Sequence, residues 1–186
     1  MARPLADRQD VISALAEIFR DHGFEGASLS TITARTGLGK GSLYNLFPGG
    51  KAEMAEAVLA HIDGWFRTHV FEPLDQADGG MAAVQAMFQA TDAYFRSGRR
   101  VCVVGVFALG DARDLFTEQV RGYFAAWVTA LAGALERAGR DPAQARADAE
   151  EVVAGIQGAL VLARALDDTG VFTRTLARLR AGLGLA

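Results

Sequence analysis

Between Ser28 and Phe47 the chain carries two short amphipathic segments separated by Gly37, and this arrangement constrains the fold more than any other feature. Ser28 is placed to cap the first segment, its hydroxyl accepting an amide hydrogen bond from the first turn. Leu29 and Ile32 recur at i and i+3, giving that segment one apolar face. Gly37 tolerates the positive φ that a sharp turn between helices requires. The pattern predicts a second short helix from about Lys40, with Leu43 and Phe47 facing inward. Two short helices across a glycine-containing turn make a helix-turn-helix.

The outer strip of the second helix has an unusual chemistry. Lys40 offers a cation to phosphate or to guanine acceptors. Gly41 has no side chain, so another backbone or a base edge can approach closely. Tyr44 offers a hydroxyl to phosphate and a ring to a thymine methyl, and Asn45 can present donor and acceptor together to adenine. The same strip would also suit a solvated face of a small structural helix, because polar outer faces are common.

The wider order of residues favours the first reading. Phe19, Gly23 and Phe24, then Ser28, Ile32, Gly37, the run Lys40-Gly41-Ser42-Leu43-Tyr44, Phe47 and Lys51 resemble the N-terminal domain of TetR-family transcriptional regulators. The resemblance spans roughly residues 8 to 60. It implies an all-helical homodimer that binds double-stranded operator DNA and releases it when a small molecule binds. It also implies DNA contacts from Ser28, Thr31, Lys40, Gly41, Ser42, Tyr44, Asn45 and Lys51. Pro48-Gly49-Gly50-Lys51 is similar to the junction of the LmrA/YxaF-type subgroup. Two positions depart from the family pattern: Gly39 stands where a Ser or Ala cap is frequent, and Thr31 where an acidic residue is usual.

Composition bounds the rest. The chain has 186 residues, about half of them apolar, and only four prolines. Alanine is abundant and period-2 runs are few, so the expected class is all-α with about nine helices. The expected division is a DNA-binding domain over 1–50 and a ligand-binding and dimerisation domain over 51–186. The formal net charge is −3, which does not suggest a generic nucleic-acid binder. The first 51 residues nevertheless carry a net +1, and both lysines of the chain, Lys40 and Lys51, lie there. Cys102 is the single cysteine, so no intrachain disulfide forms, and a reducing compartment is expected. No signal peptide or membrane span is expected, which points to the cytoplasm.

In chain order, residues 1–4 form an expected loose arm whose Arg3 could touch the DNA backbone. A helix from about Leu5 should stop at Gly23. After the Pro48-Gly49-Gly50 break, a long helix should run from Lys51 to about Leu74. The amides at its start, with Lys51, would suit a DNA phosphate. Further helices are expected over 81–97, 112–138 and 141–166, the last with Asp141 as N-cap and Pro142 at its first position, and from 171 onward. The apolar run 101–109 fits a buried strand or a short buried helix by periodicity. Its Cys102-x-x-Gly105 element resembles the LmrA/YxaF-type C-terminal domain, which favours helix and extends the resemblance over nearly the whole chain.

The resemblance further implies that the last two helices of each subunit build a four-helix dimer interface. Val152, Gly155, Ile156, Ala159, Leu162 and Leu166, followed by Phe172, Leu176 and Leu179, supply a seam consistent with it. A buried face within one chain would leave the same stripe. Aromatic residues crowd the middle of the chain, where the family encloses a ligand. Trp65, Phe66, Phe88, Phe107, Phe124 and Trp127 are candidate walls for an apolar or aromatic effector. His61, Gln89, Asp92 and Gln119 are candidate polar contacts. Pockets are commonly apolar with a few polar groups. His22, His61 and His69 do not stand at metal-ligand spacings, and no phosphate loop, dinucleotide fingerprint or nucleophile elbow is present. The expectation is a regulator, most simply a repressor of a palindromic operator, with no enzyme activity, cofactor or metal. The alternative is a helical small-molecule binder or enzyme whose helix-turn-helix is idle.

Overall fold

The computed structural model describes residues 7–76 and 78–185, and every regular element among them is helical. Arg3 and the expected helix start at Leu5 lie outside the described residues. Two compact units are present. The first takes the chain up to Asp63 together with Val103–Val120, and the second takes Gly64–Cys102 and Arg121 onward.

In the first unit, α1 (Arg8–Gly26) is capped by the Asp7 carboxylate, which accepts from the Gln9 amide at 3.2 Å. Its regular run breaks at Gly23, whose φ of 67° only glycine adopts without strain. Helix α2 (Leu29–Thr36) starts at Ser28, whose Oγ accepts from the Thr31 amide at 3.1 Å. It ends at Gly37 in the left-handed region, φ 69°. Helix α3 (Lys40–Leu46) follows without a side-chain cap, because Gly39 has none to offer. Helix α4 (Gly50–Phe66) begins where the Gly49 amide donates to Glu53 Oε2 at 2.7 Å.

The helical path of α4 does not stop at Phe66. It widens into a π-helical turn, Arg67–Phe71, and tightens again into α5 (Glu72–Asp75). Next come α6 (Gly80–Tyr94) and α7 (Val103–Leu109), so most of the apolar run is helix and not strand, with Val103, Val104 and Phe107 buried and Leu109 at the exposed end. Helix α8 (Ala112–Leu115) and α9 (Thr117–Arg137) are separate, although the periodicity suggests one helix. Phe116 breaks them with φ −122° and turns its ring toward Phe107 (5.6 Å) and Phe24 (5.3 Å). Burying that ring outweighs one more helical hydrogen bond. Helix α10 (Pro142–Leu166) opens on Asp141 and Pro142 as expected, and α11 (Gly170–Gly182) closes the chain.

The second unit is built on aromatic packing. Phe66 is fully buried, with its ring 5.0 Å from Tyr123 and 5.1 Å from Trp127. Arg140 pairs with Asp148 and donates to the Leu183 carbonyl at 2.8 Å, tying the start of α10 to the end of α11. At the turn after α6, Gly98 has φ 90°, and a Cβ there would lie 2.6 Å from Cβ of Phe172. Gly98→Ala is therefore strained twice. It should destabilise the protein by about 2–4 kcal/mol, read as a lower denaturant midpoint at unchanged slope.

Asp168 locks the start of α11. Its carboxylate accepts from Arg174 at 2.9 Å and from the Gly170 amide at 2.8 Å, and these bonds hold its pKa below the ordinary carboxylate value. A carboxyl with a depressed folded-state pKa stabilises above its unfolded pKa and loses that contribution as pH falls. Amide exchange in the first turn of α11 should accelerate as pH drops below about 4 relative to a matched Asp168→Asn protein.

Candidate nucleic-acid interface

The turn and the second helix stand as the residue pattern requires. Leu43 and Phe47 are fully buried, and Ile32 beneath α2 is too. Lys40, Gly41, Ser42, Tyr44 and Asn45 are all exposed, so one side of α3 is anchored and the other is open. Tyr44 keeps 45% of its surface exposed, a large fraction for an aromatic residue. A Cβ on Gly50 would meet its Cε1 at 3.5 Å, so the ring rests against the start of α4. Ser28 is occupied in capping, and its Oγ also lies 2.8 Å from Thr31 Oγ1, so these two residues act as a pair at the start of α2.

Lys51 is held inside the first unit. Its Nζ donates to the Phe24 carbonyl at 2.9 Å and lies 4.4 Å from the centre of the Phe24 ring. An ammonium has three donors, so this bond fixes the cation's position while leaving it chemically able to meet an anion. Arg8 was not singled out by the sequence pattern. Its guanidinium lies over the Phe47 ring at 4.7 Å, donates to the Leu46 carbonyl at 3.4 Å and pairs with Glu53 at 3.6 Å. It thus binds the C-terminal end of α3 to α1 and α4. No local signal marks it, because its partners are 38 or more residues away.

The candidate effector residues fall in several places. Gln9 Nε2 donates to His61 Nδ1 at 2.8 Å, and His61 lines an open cleft of about 480 Å³ between α1 and α4. Phe107 belongs to the aromatic cluster of the first unit, with Phe19, Phe24 and Phe116. Gln119 is exposed near the start of α9. In the second unit Phe66 and Trp127 share the core, with Phe124 half-buried beside Tyr123. Trp65 stacks on His69 at 4.4 Å and meets Tyr94 at 4.5 Å with its ring tilted by 39°. Phe88, Gln89 and Asp92 line a hollow of about 170 Å³ closed by Thr173, Leu176 and Arg180 of α11. The indole N–H of Trp127 is buried and has no acceptor among the described residues.

The seam on α10 is used within the chain. Val152, Ile156 and Ala159 are buried in this single chain, as are Phe172 and Leu176 of α11. Gly155 serves the same contact, since a Cβ there would press on Leu179 at 3.0 Å. Leu162 and Leu166 are different, at 51% and 63% exposed. They belong to an open stripe with Ala154, Gly158, Val161 and Ala165, spaced as one helical face. That stripe escapes sequence reasoning because α10 is apolar on two sides, and periodicity does not say which side the chain itself covers.

Among the described residues no helix is long and apolar enough to cross a membrane, and no three His, Cys, Asp or Glu side chains form a metal-binding group. Comparison with known proteins gives two family matches. Residues 11–58 match the family described as bacterial regulatory proteins, tetR family. Residues 80–177 match the LmrA/YxaF-like transcriptional regulator C-terminal domain. The HTH-type transcriptional regulator LmrA of Bacillus subtilis is 24% identical over 159 residues, covering 83% of this chain and 85% of that protein. A TetR transcriptional regulator from Legionella pneumophila has the same fold. It superposes with a TM-score of 0.79 over 98% of this chain and 99% of its own, at 18% identity. SmeT, the repressor of the Stenotrophomonas maltophilia multidrug efflux pump SmeDEF, superposes at 0.64 over 95% and 90%, at 20% identity.

Proposed function

From the premise that this chain belongs to the TetR family of bacterial transcriptional regulators, with an LmrA/YxaF-like C-terminal domain, we propose that it is a ligand-released repressor of a palindromic operator. The observation that carries the reading is the open strip Lys40, Gly41, Ser42, Tyr44 and Asn45, set on a helix whose opposite side is fully buried. A helix anchored in this way can enter a major groove without rearranging its own packing. Lys40 and Lys51 then meet phosphates, Ser28 and Thr31 hold the start of α2 against the backbone, and Tyr44 and Asn45 read base edges. DNA reading is assigned to residues 1–50, and ligand binding with dimerisation to 51–186.

The protein works as a homodimer in the cytoplasm, its two recognition helices entering successive major grooves. The open α10 stripe around Leu162 and Leu166 supports a second copy as the other half of a helical interface. The effector is a small apolar or aromatic molecule held by the body of the chain. It favours a dimer whose heads no longer match the operator, and DNA affinity falls by the coupling energy. The Trp127 N–H in its aromatic surroundings supports an effector that carries a hydrogen-bond acceptor on a flat apolar frame.

The test selects duplexes from a random pool with the purified protein, then screens aromatic compounds for release. A two-fold repeat and at least one releasing compound are expected; an asymmetric site bound by a single copy would refute the dimer. Trp127→Phe keeps the ring and removes the donor. It should raise the effector concentration for half-release about 5-fold and leave effector-free DNA binding unchanged.

A further inference from the structure

The geometry points to Glu25 as a positioning residue for the DNA contact made by Lys51, an inference that rests on the DNA-reading assignment above. Glu25 and Phe24 follow the Gly23 break at the end of α1, and together they face two ways. On one side, Glu25 Oε1 accepts the amide of Ala112 at 2.9 Å, across 87 residues of sequence. That amide opens α8 and has no partner within its own helix. The Phe24 ring packs beside this bond, edge-on to Phe116 at 5.3 Å and Phe107 at 6.0 Å. On the other side, the Phe24 carbonyl and ring hold the Lys51 ammonium at 2.9 Å and 4.4 Å.

One dipeptide therefore fastens the lysine at the start of α4 to the segment containing α7 and α8. All of these residues lie in the first compact unit. A lysine side chain has many rotamers, and ordering it on a phosphate costs entropy. A lysine already seated on a carbonyl and a ring has lost much of that freedom before DNA arrives. The Glu25 hydrogen bond keeps Phe24 where it performs this task.

Charge alone predicts the opposite sign. A carboxylate near DNA repels phosphate, so removing it would tighten binding. The test compares Glu25→Ala, Glu25→Asp and Glu25→Gln, each alone and with Lys51→Ala, on a duplex the wild-type protein selects from a random pool. Affinity is measured over a range of salt. Asp keeps the charge but is one methylene too short to reach Ala112. Gln loses the charge but keeps an acceptor oxygen.

Glu25→Ala and Glu25→Asp should both weaken binding about 3- to 10-fold and lower the salt slope by up to about 0.9, the value of one phosphate contact. Glu25→Gln should stay within about twofold of wild type, and Glu25→Ala should add nothing to Lys51→Ala. Should Glu25→Ala not fold, the contrast of Asp with Gln carries the same comparison. Tighter binding by Ala and Gln together, equal behaviour of Asp and Gln, or additive effects with Lys51→Ala would overturn the inference alone. Failure of the wild-type protein to select any duplex would overturn the DNA reading, and this inference with it.

Discussion

Alanine at both Tyr44 and Asn45 should lower affinity for the selected duplex by about 100-fold or more at fixed salt, with the thermal midpoint lowered by only about a few degrees. Each base-edge contact discriminates by about 1–3 kcal/mol, and two such losses add when their partners are different bases. Stability should fall little, because Asn45 is exposed and Tyr44, 45% exposed, only rests its ring edge against Gly50 at the start of α4. The main support of α3 comes from Leu43 and Phe47, both fully buried, and from Arg8 at the helix end. The double variant should keep a weak, salt-sensitive attraction for any duplex through Lys40 and Lys51. Lys40→Ala should instead weaken all duplexes alike and reduce the salt slope by about one. Gel-shift titration on selected and scrambled duplexes separates these outcomes. Equal loss on both would show that Tyr44 and Asn45 touch only the backbone.

A glutamate at both Leu162 and Leu166 should convert the proposed homodimer to monomers at micromolar concentration. A two-fold interface uses each residue twice, so the double variant removes four leucines and inserts four carboxylates. Burying one leucine contributes about 1.5–3 kcal/mol, and each 1.4 kcal/mol is tenfold in the dissociation constant. The expected shift is therefore at least about 1,000-fold. The monomer should remain folded, because these positions are exposed in the single chain. Ile156→Glu should behave otherwise: it places a charge in a site with no exposure and should unfold the α10–α11 pair. Sedimentation with circular dichroism distinguishes dissociation from unfolding, and a folded dimer in the Leu162/Leu166 variant would place the interface elsewhere.

These expectations also mark what could be read from residues alone. The helix-turn-helix was legible because its cues are local: a Ser28 cap, a Gly37 turn, and two inward residues four apart, Leu43 in α3 and Phe47 at its C-cap. Asp141 and Pro142 announced α10 for the same reason. What sequence left open was decided by partners distant in the chain. The division of α8 from α9 depends on an aromatic ring 92 residues before Phe116. The π-helical turn after Phe66 goes with the stacking of His69 on Trp65, which helical periodicity does not encode. The α10 stripe was legible as apolar, yet its buried half faces α11 and only Leu162 and Leu166 of the named residues on it stand open. Lys51 was legible as a cation at a helix start, but its bond to the Phe24 carbonyl is a tertiary contact.

The most direct measurement is competitive selection of DNA by the purified protein from a pool of random duplexes at modest ionic strength. The account predicts enrichment of a two-fold repeat whose half-sites lie about 34–36 Å apart, one helical turn or a multiple of it. It also predicts loss of that enrichment when Tyr44 and Asn45 are both alanine. Recovery of an unselected pool by the wild-type protein would contradict it, because the open face of α3 would then have no sequence to read.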